Sequence, residues 1–127
     1  MQSRGDLDKL SRLRAALRDA LKELETTLEV AFERSALVKG NVYELARKCG
    51  KPSCACAEGQ LHRSMVLSWS EQGKTRLVSI PAERLEELRH KSARYLRFRT
   101  ARAQVTVLCR QILALLDRIE KLRLEKS

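Results

Sequence analysis

The stretch that decides the fold is KCGKPSCACAEGQLH, at residues 48–62. It holds three of the four cysteines and one of the two histidines, with the spacing Cys49-x4-Cys54-x-Cys56-x5-His62. Thiolate sulfur and imidazole nitrogen are the ligands that tetrahedral zinc prefers, and three cysteines with one histidine complete a closed structural site. Glycine and proline residues within the stretch supply turns that would bring the four side chains together. The stretch therefore predicts a structural zinc knuckle, although its spacing matches none of the commonest finger patterns.

Two other interpretations of these cysteines stay open. The thiols could be reduced and either packed or reactive, since the nearby Lys51 would favour a thiolate. Disulfides are the second alternative, and they need an oxidising compartment. Met1-Gln2-Ser3-Arg4 leads directly into an amphipathic pattern rather than a signal peptide, so we expect a cytoplasmic protein. A bond between Cys54 and Cys56 would also close a very short, strained ring.

Further motifs surround the cysteines: GNVYEL at 40–45, LSW at 67–69, GKTR at 73–76 and IPAE at 80–83. Together with the cysteine stretch they resemble a small bacterial family of unknown function, the DUF6788-like proteins, over about residues 38–97. The resemblance implies a genomic setting near transposases and other mobile-element genes, but no activity. Arg63-Ser64 departs from the Gly-Pro that follows the histidine in that family, so the turn that would orient His62 is less constrained.

Length and charge bound the function. The 127 residues suit one domain, 1–127, and contain no apolar run near the roughly 20 residues that span a bilayer, so we expect a soluble chain without a membrane partner. The net charge is +10, yet residues 1–34 hold seven basic and seven acidic residues. Between Arg89 and Arg110 there are seven basic residues and no acidic one. Such a one-sided field favours a polyanion such as nucleic acid, and a solubilising helix face is the alternative.

Leucine periodicity predicts two long helices. Residues 6–35 carry an apolar stripe at steps of three and four, with Asp6 as the expected N-cap. Residues 81–125, beginning at Pro81, carry a heptad stripe that consists of Phe98, Ala101, Val105, Leu108, Ile112, Leu115, Ile119 and Leu122. Neither helix can bury its stripe alone, so we expect residues 6–35 to fold back antiparallel on 97–125. Leu113 and Leu116 widen the second stripe, which predicts a homodimer through the helices.

Residues 40–80 predict a small antiparallel β meander of three strands, with the knuckle between its first two strands. Tyr43 and Leu45 begin the pattern, and Met65, Leu67 and Trp69 alternate with more polar neighbours in the second strand. Glu71-Gln72-Gly73-Lys74 predicts the hairpin turn before the third strand. The predicted fold class is thus α+β, mainly α: a coiled-coil-like helical hairpin flanking a three-stranded meander with a Cys/His knuckle.

The sequence offers no catalytic constellation, so we expect no enzyme. For DNA binding, the candidate phosphate contacts are Lys48, Lys51, Arg63, Lys74, Arg76, Arg94, Arg97, Arg99 and Arg102. Trp69 and Tyr43 could stack on bases, but the chain has only five aromatic residues, and core positions are the more frequent use.

The first functional hypothesis is a dimeric DNA-binding accessory protein of a transposition or integration system, with a recombinase or transposase as partner. The alternative is a structural adaptor that binds another protein through its helices.

Overall fold

The computed structural model describes residues 3–48, 59 and 61–125. It shows a mainly helical α+β fold, whose elements are α1 (Arg4–Leu28), a 3-10 turn (Glu29–Phe32), β1 (Asn41–Arg47), β2 (His62–Glu71), β3 (Lys74–Ser79), a 3-10 turn (Ala82–Arg84) and α2 (Leu85–Arg123). Within the described ranges, no helix has the length and apolar character needed to cross a membrane.

The chain forms two compact units. The helical unit comprises Met1–Glu33 and Phe98–Ser127, and the sheet unit comprises Arg34–Arg97. Helix α2 contributes its first part to the sheet unit and the remainder to the helical unit.

The first helix begins and ends earlier than its leucine pattern predicts. Ser3, not Asp6, is the N-cap: the Ser3 hydroxyl accepts a hydrogen bond of 3.0 Å from the backbone N–H of Asp6. Serine and aspartate are both good N-cap residues. Ser3 takes this position because its hydroxyl satisfies the first-turn N–H of Asp6, which has no partner within the helix. The α-helix ends at Leu28 and tightens into a 3-10 turn, rather than continuing to residue 35. Phe32 is 82% exposed, so no packing supports a further α-helical turn there.

The helical unit is held by leucines from both helices. Leu10, Leu13 and Ile119 form its buried cluster, with Leu17, Leu115 and Leu122 packed against it. Further along, Gln104 Nε2 donates to Glu23 Oε1 at 3.2 Å. The buried cluster joins the first half of α1 to the end of α2, and the hydrogen bond joins the later part of α1 to the middle of α2. All eight residues of the predicted α2 stripe are buried or half-buried, whereas Leu113 and Leu116 are 60% and 45% exposed.

The three strands form an antiparallel sheet in the order β1-β2-β3, as the sequence predicts. Val42 pairs with Leu67, which pairs with Val78, so these three side chains share one face. The β2–β3 connection is the predicted tight turn, with Gln72 at φ 52° and Gly73 at φ 78°. Two consecutive positive φ values match the primed turns that suit the twist of a hairpin.

The sheet unit buries its core between one sheet face and the start of α2. Leu67, Ile80 and Leu88 are its buried residues, and Val38, Val42, Met65, Trp69 and Leu85 pack against them. The predicted alternation of β2 is therefore confirmed on this face, yet Val66, on the opposite face, is 0% exposed. Pro81 is not the first residue of α2: it caps the 3-10 turn with an extended ψ of 145°, and α2 begins at Leu85.

Gly40 fixes the start of β1 against β2 and α2. Its carbonyl accepts a hydrogen bond from the Ser92 hydroxyl, and the Val38 N–H donates to the Lys91 carbonyl at 3.2 Å. Its φ is +135°, and a Cβ there would lie 2.6 Å from the Ser68 carbonyl oxygen. Only glycine fits this position, because the positive φ and the close approach both exclude a side chain.

Candidate nucleic-acid interface

The cysteine stretch connects β1 to β2, and the strand residues on either side of it pair with each other. Arg47, the last residue of β1, is the register partner of His62, the first residue of β2. Directly opposite residues in an antiparallel pair lie about 5 Å apart. His62 is the last predicted ligand, and the first, Cys49, follows Arg47 by two residues in the sequence. Cys49, Cys54, Cys56 and Lys51 themselves lie outside the described residues.

The zinc prediction therefore stays a prediction. In the described ranges 3–48, 59 and 61–125, no three His, Cys, Asp or Glu side chains cluster closely enough to hold a metal ion. Three of the four expected ligands fall outside those ranges, so this finding does not test the site. The donor set of three thiols and one imidazole suits tetrahedral zinc by its chemistry.

Two of the predicted phosphate contacts on the sheet carry acidic partners. Arg63 Nη1 lies 2.7 Å from Glu44 Oε1, across the β1–β2 pair. Arg76 Nε lies 3.7 Å from Glu71 Oε2, and the same carboxylate accepts a hydrogen bond from the Trp69 indole N–H. All four charged side chains are at least half exposed, and exposed ion pairs are worth only about 0–1 kcal/mol. Phosphate could therefore replace either carboxylate, but it would have to compete for the arginine.

Two of the predicted phosphate contacts are lysines at the ends of strands. Lys74 opens β3 beside the hairpin turn, and Lys48 directly follows β1. Both are exposed, and neither forms a salt bridge with another described residue. Both ammonium groups are therefore exposed to a bound anion, although Glu71 is the register partner of Lys74.

The predicted arginines of α2 differ in their surroundings. Arg94 is half-buried, whereas Arg97, Arg99 and Arg102 are exposed. Arg99 and Arg102, both in the helical unit, form no salt bridge with the part of the chain that the structure describes. They stand three residues apart, a spacing that places two side chains on one helix surface. No Asp or Glu occurs in the sequence between Glu87 and Asp117, so α2 offers these arginines no acidic neighbour.

At the start of α2, by contrast, the charges are paired. The hydrogen bond that Lys91 donates to Glu87 lowers the pKa of that carboxyl, and Arg84 lowers the same pKa further. Arg89 lies 3.4 Å from Glu86. The first turns of α2 are thus nearly neutral, and the unpaired positive charge is concentrated further along the helix.

The sequence prediction missed four other cations, in the helical unit. Lys9 and Arg12 of α1, with Arg118 and Lys121 of α2, line a groove of about 690 Å³ whose other lining residues are Leu13, Ala16, Leu115 and Leu122. The i, i+3 spacing within each pair was visible in the sequence. Their juxtaposition was not, because it depends on how two distant helices align.

Similarity to one known protein family extends over most of the chain. A family model described as a domain of unknown function, DUF6788, matches residues 7–90. The chain belongs to this family. The match begins in α1 and ends in α2, so it includes the first helix, which the motif resemblance left out, and stops before Arg94. No curated protein and no solved structure matches this DUF6788 chain.

Proposed function

We propose that this DUF6788 protein is a non-enzymatic, dimeric DNA-binding accessory protein that works beside a recombinase or transposase in transposition or integration. The observation that carries the proposal is the pair Arg99 and Arg102: exposed, unpaired and on a helix segment without acids. Arginine contacts to phosphate supply affinity that does not depend on sequence and falls with salt. Lys48 and Lys74 add exposed cations on the sheet unit, and Arg63 and Arg76 are secondary contacts because each has an acidic partner.

The proposal gives zinc a structural role. The pairing of Arg47 with His62 supports a structural site, because the predicted knuckle begins and ends next to two paired residues. Zinc bound by three thiolates and one imidazole would hold the loop and supply folding energy, not chemistry. Lys48 and Lys51 would then be carried on a rigid tip. The mobile-element setting rests on the family resemblance alone.

Wild-type binding to a fluorescently labelled DNA duplex, measured by anisotropy across a salt series, tests the proposal. We expect log K to fall with log salt, with a slope of about −3 to −5 for roughly four or five phosphate contacts. Binding to single-stranded DNA and to an RNA duplex, measured alongside, identifies the preferred form. Absence of binding at low salt would refute the proposal.

The alternative is a structural adaptor that binds a protein through its helices. It is favoured by one observation: Leu7, Leu21, Leu113 and Leu116 of the helical unit are each 45–60% exposed, although their neighbours form its core. An adaptor of this kind would elute from a heparin column at low salt, whereas the DNA-binding protein would be retained into high salt.

A further inference from the structure

One surface row of α1 separates its charges by sign. The row consists of Lys9, Arg12, Ala16, Asp19 and Glu23, at steps of three, four, three and four, and all five residues are exposed. Such steps keep side chains on one helix face. The cations stand at one end, the carboxylates at the other and Ala16 between them. Glu23 Oε1 accepts the hydrogen bond from Gln104, which leaves the second carboxylate oxygen of Glu23 for another cation. Lys9 and Glu23 are each seven residues from Ala16, about 10 Å along the helix axis in either direction.

The positive end of this row opens on the groove in the helical unit. Arg118 and Lys121 of α2 join Lys9 and Arg12 along its walls, and the groove has an apolar floor. None of the four cations forms a salt bridge with another described residue. A smaller cavity of about 300 Å³ continues the surface past Ala20, Gln111 and Ala114. Neither cavity is lined by an acidic residue within the described part of the chain.

From this arrangement we infer that the groove is the docking surface for a second copy of this chain, with the two α1 rows antiparallel and centred on Ala16. In that register Lys9 faces Glu23 of the partner subunit, and Arg12 faces Asp19 of the partner subunit. Two-fold symmetry repeats both pairs, so four ion pairs form. Arg118 and Lys121 lie beside the same positions and add to the attraction. Small side chains at Ala16 and Ala114 allow the helices to approach closely, and two helical hairpins then make a four-helix bundle.

The lining of the groove favours this occupant over nucleic acid. Half of the lining residues are apolar, and a phosphate backbone would leave them uncovered, whereas the partner's Ala16 would pack on them. Carboxylates of the required sign also occur at the matching distance on the same row. The inference deepens the dimer in the proposed function and rests on it for that setting, but it makes no use of the DNA contacts.

Charge reversal with rescue tests the register. Two double variants, K9E/R12E and D19K/E23K, each place like charges opposite one another, and the dimer Kd should rise about 10- to 100-fold in analytical ultracentrifugation. An equimolar mixture of the two should form a heterodimer, and the quadruple variant should dimerise again. The four positions are exposed, so helix content by circular dichroism should stay unchanged. The variant L113Q/L116Q tests the competing dimer surface that the sequence pattern predicts, and it should leave the Kd within about twofold.

Several results would overturn the inference. These are a monomeric wild-type chain, dimers that survive both reversals, reversals whose mixture fails to associate, and dissociation caused by L113Q/L116Q instead. DNA binding by the wild type, measured separately, keeps the two proposals apart. Restored dimers without DNA binding would refute only the proposed function. DNA binding by a monomer would refute this inference and the dimeric part of the proposed function, but not its DNA contacts.

Discussion

Replacing Gly40 by alanine tests how the sheet unit is held together. Its φ of +135° costs an L-residue about 1–2 kcal/mol. The added Cβ would lie 2.6 Å from the Ser68 carbonyl oxygen and 2.9 Å from Leu67 Cδ1, and relieving such overpacking costs about 1–3 kcal/mol more. We therefore expect G40A to lower the free energy of unfolding by about 2–5 kcal/mol, and the melting temperature by about 6–25 °C.

Two other glycines serve as controls for this experiment. Gly73 also has a positive φ, +78°, but no atom lies within 4 Å of its added Cβ, so G73A should cost only about 1 kcal/mol. Gly5 lies within α1, where alanine should stabilise by up to about 1 kcal/mol. Urea unfolding of G40A and G73A is followed by the fluorescence of the single tryptophan, Trp69, which packs against the core of the sheet unit. The G5A variant lies in the helical unit and is followed by circular dichroism. If G40A and G73A agree within about 0.5 kcal/mol, the reasoning about the close approach is refuted.

Three further substitutions probe separate features of the chain. Ser3→Ala removes the cap of α1 and should cost about 1 kcal/mol in thermal unfolding; no change would mean that another group caps the helix. Leu108→Ala opens a cavity at a residue with 0% exposure and should cost about 3–5 kcal/mol, whereas Leu113→Ala, at 60% exposure, should cost under about 0.5 kcal/mol; equal effects would contradict the described packing. Cys54→Ser should release zinc, detected by elemental analysis, and lower the melting temperature. Melting of the wild type that is unchanged in chelator would remove the knuckle from the account.

The helical stripes were predictable because periodicity is a local property. Leu10 and Leu108 each stand within runs of three- and four-residue steps, and both are buried as that pattern requires. The β2–β3 hairpin was predictable for a similar reason, since Gly73 permits a primed turn between two alternating segments. The ends of the helices were harder to predict from the sequence. Ser3 and Asp6 are both good caps, and a pattern of apolar residues does not choose between them.

The electrostatics of the candidate site could be predicted only in part. The excess of positive charge along α2 is a property of the sequence, and the exposure of Arg99 and Arg102 agrees with it. The ion pair between Arg63 and Glu44 could not be predicted from the sequence, because it depends on the register of two strands that are separated by the cysteine stretch. A basic side chain in a list of candidates can therefore already be paired in the fold.

The match to the DUF6788 family covers only part of the features discussed above. It includes most of α1, all three strands and the first turns of α2, but it ends at residue 90, before the arginines that carry the proposed function. The sheet and the cysteine stretch are thus what the DUF6788 family model describes. The proposed DNA contacts on α2 depend on this chain's own sequence, and they have to be tested on this chain.

The central claim is that Arg99 and Arg102 contact DNA phosphates, and the salt slope of duplex binding tests it most directly. The variant R99Q/R102Q is compared with R4Q/R14Q, which removes the same charge from exposed positions of α1. Losing two phosphate contacts should reduce the magnitude of the slope of log K against log salt by about 1.8, since each contact contributes about 0.9. We expect this reduction for R99Q/R102Q and a slope within about 0.5 of the wild type for R4Q/R14Q. Equal slopes for the two variants would contradict it.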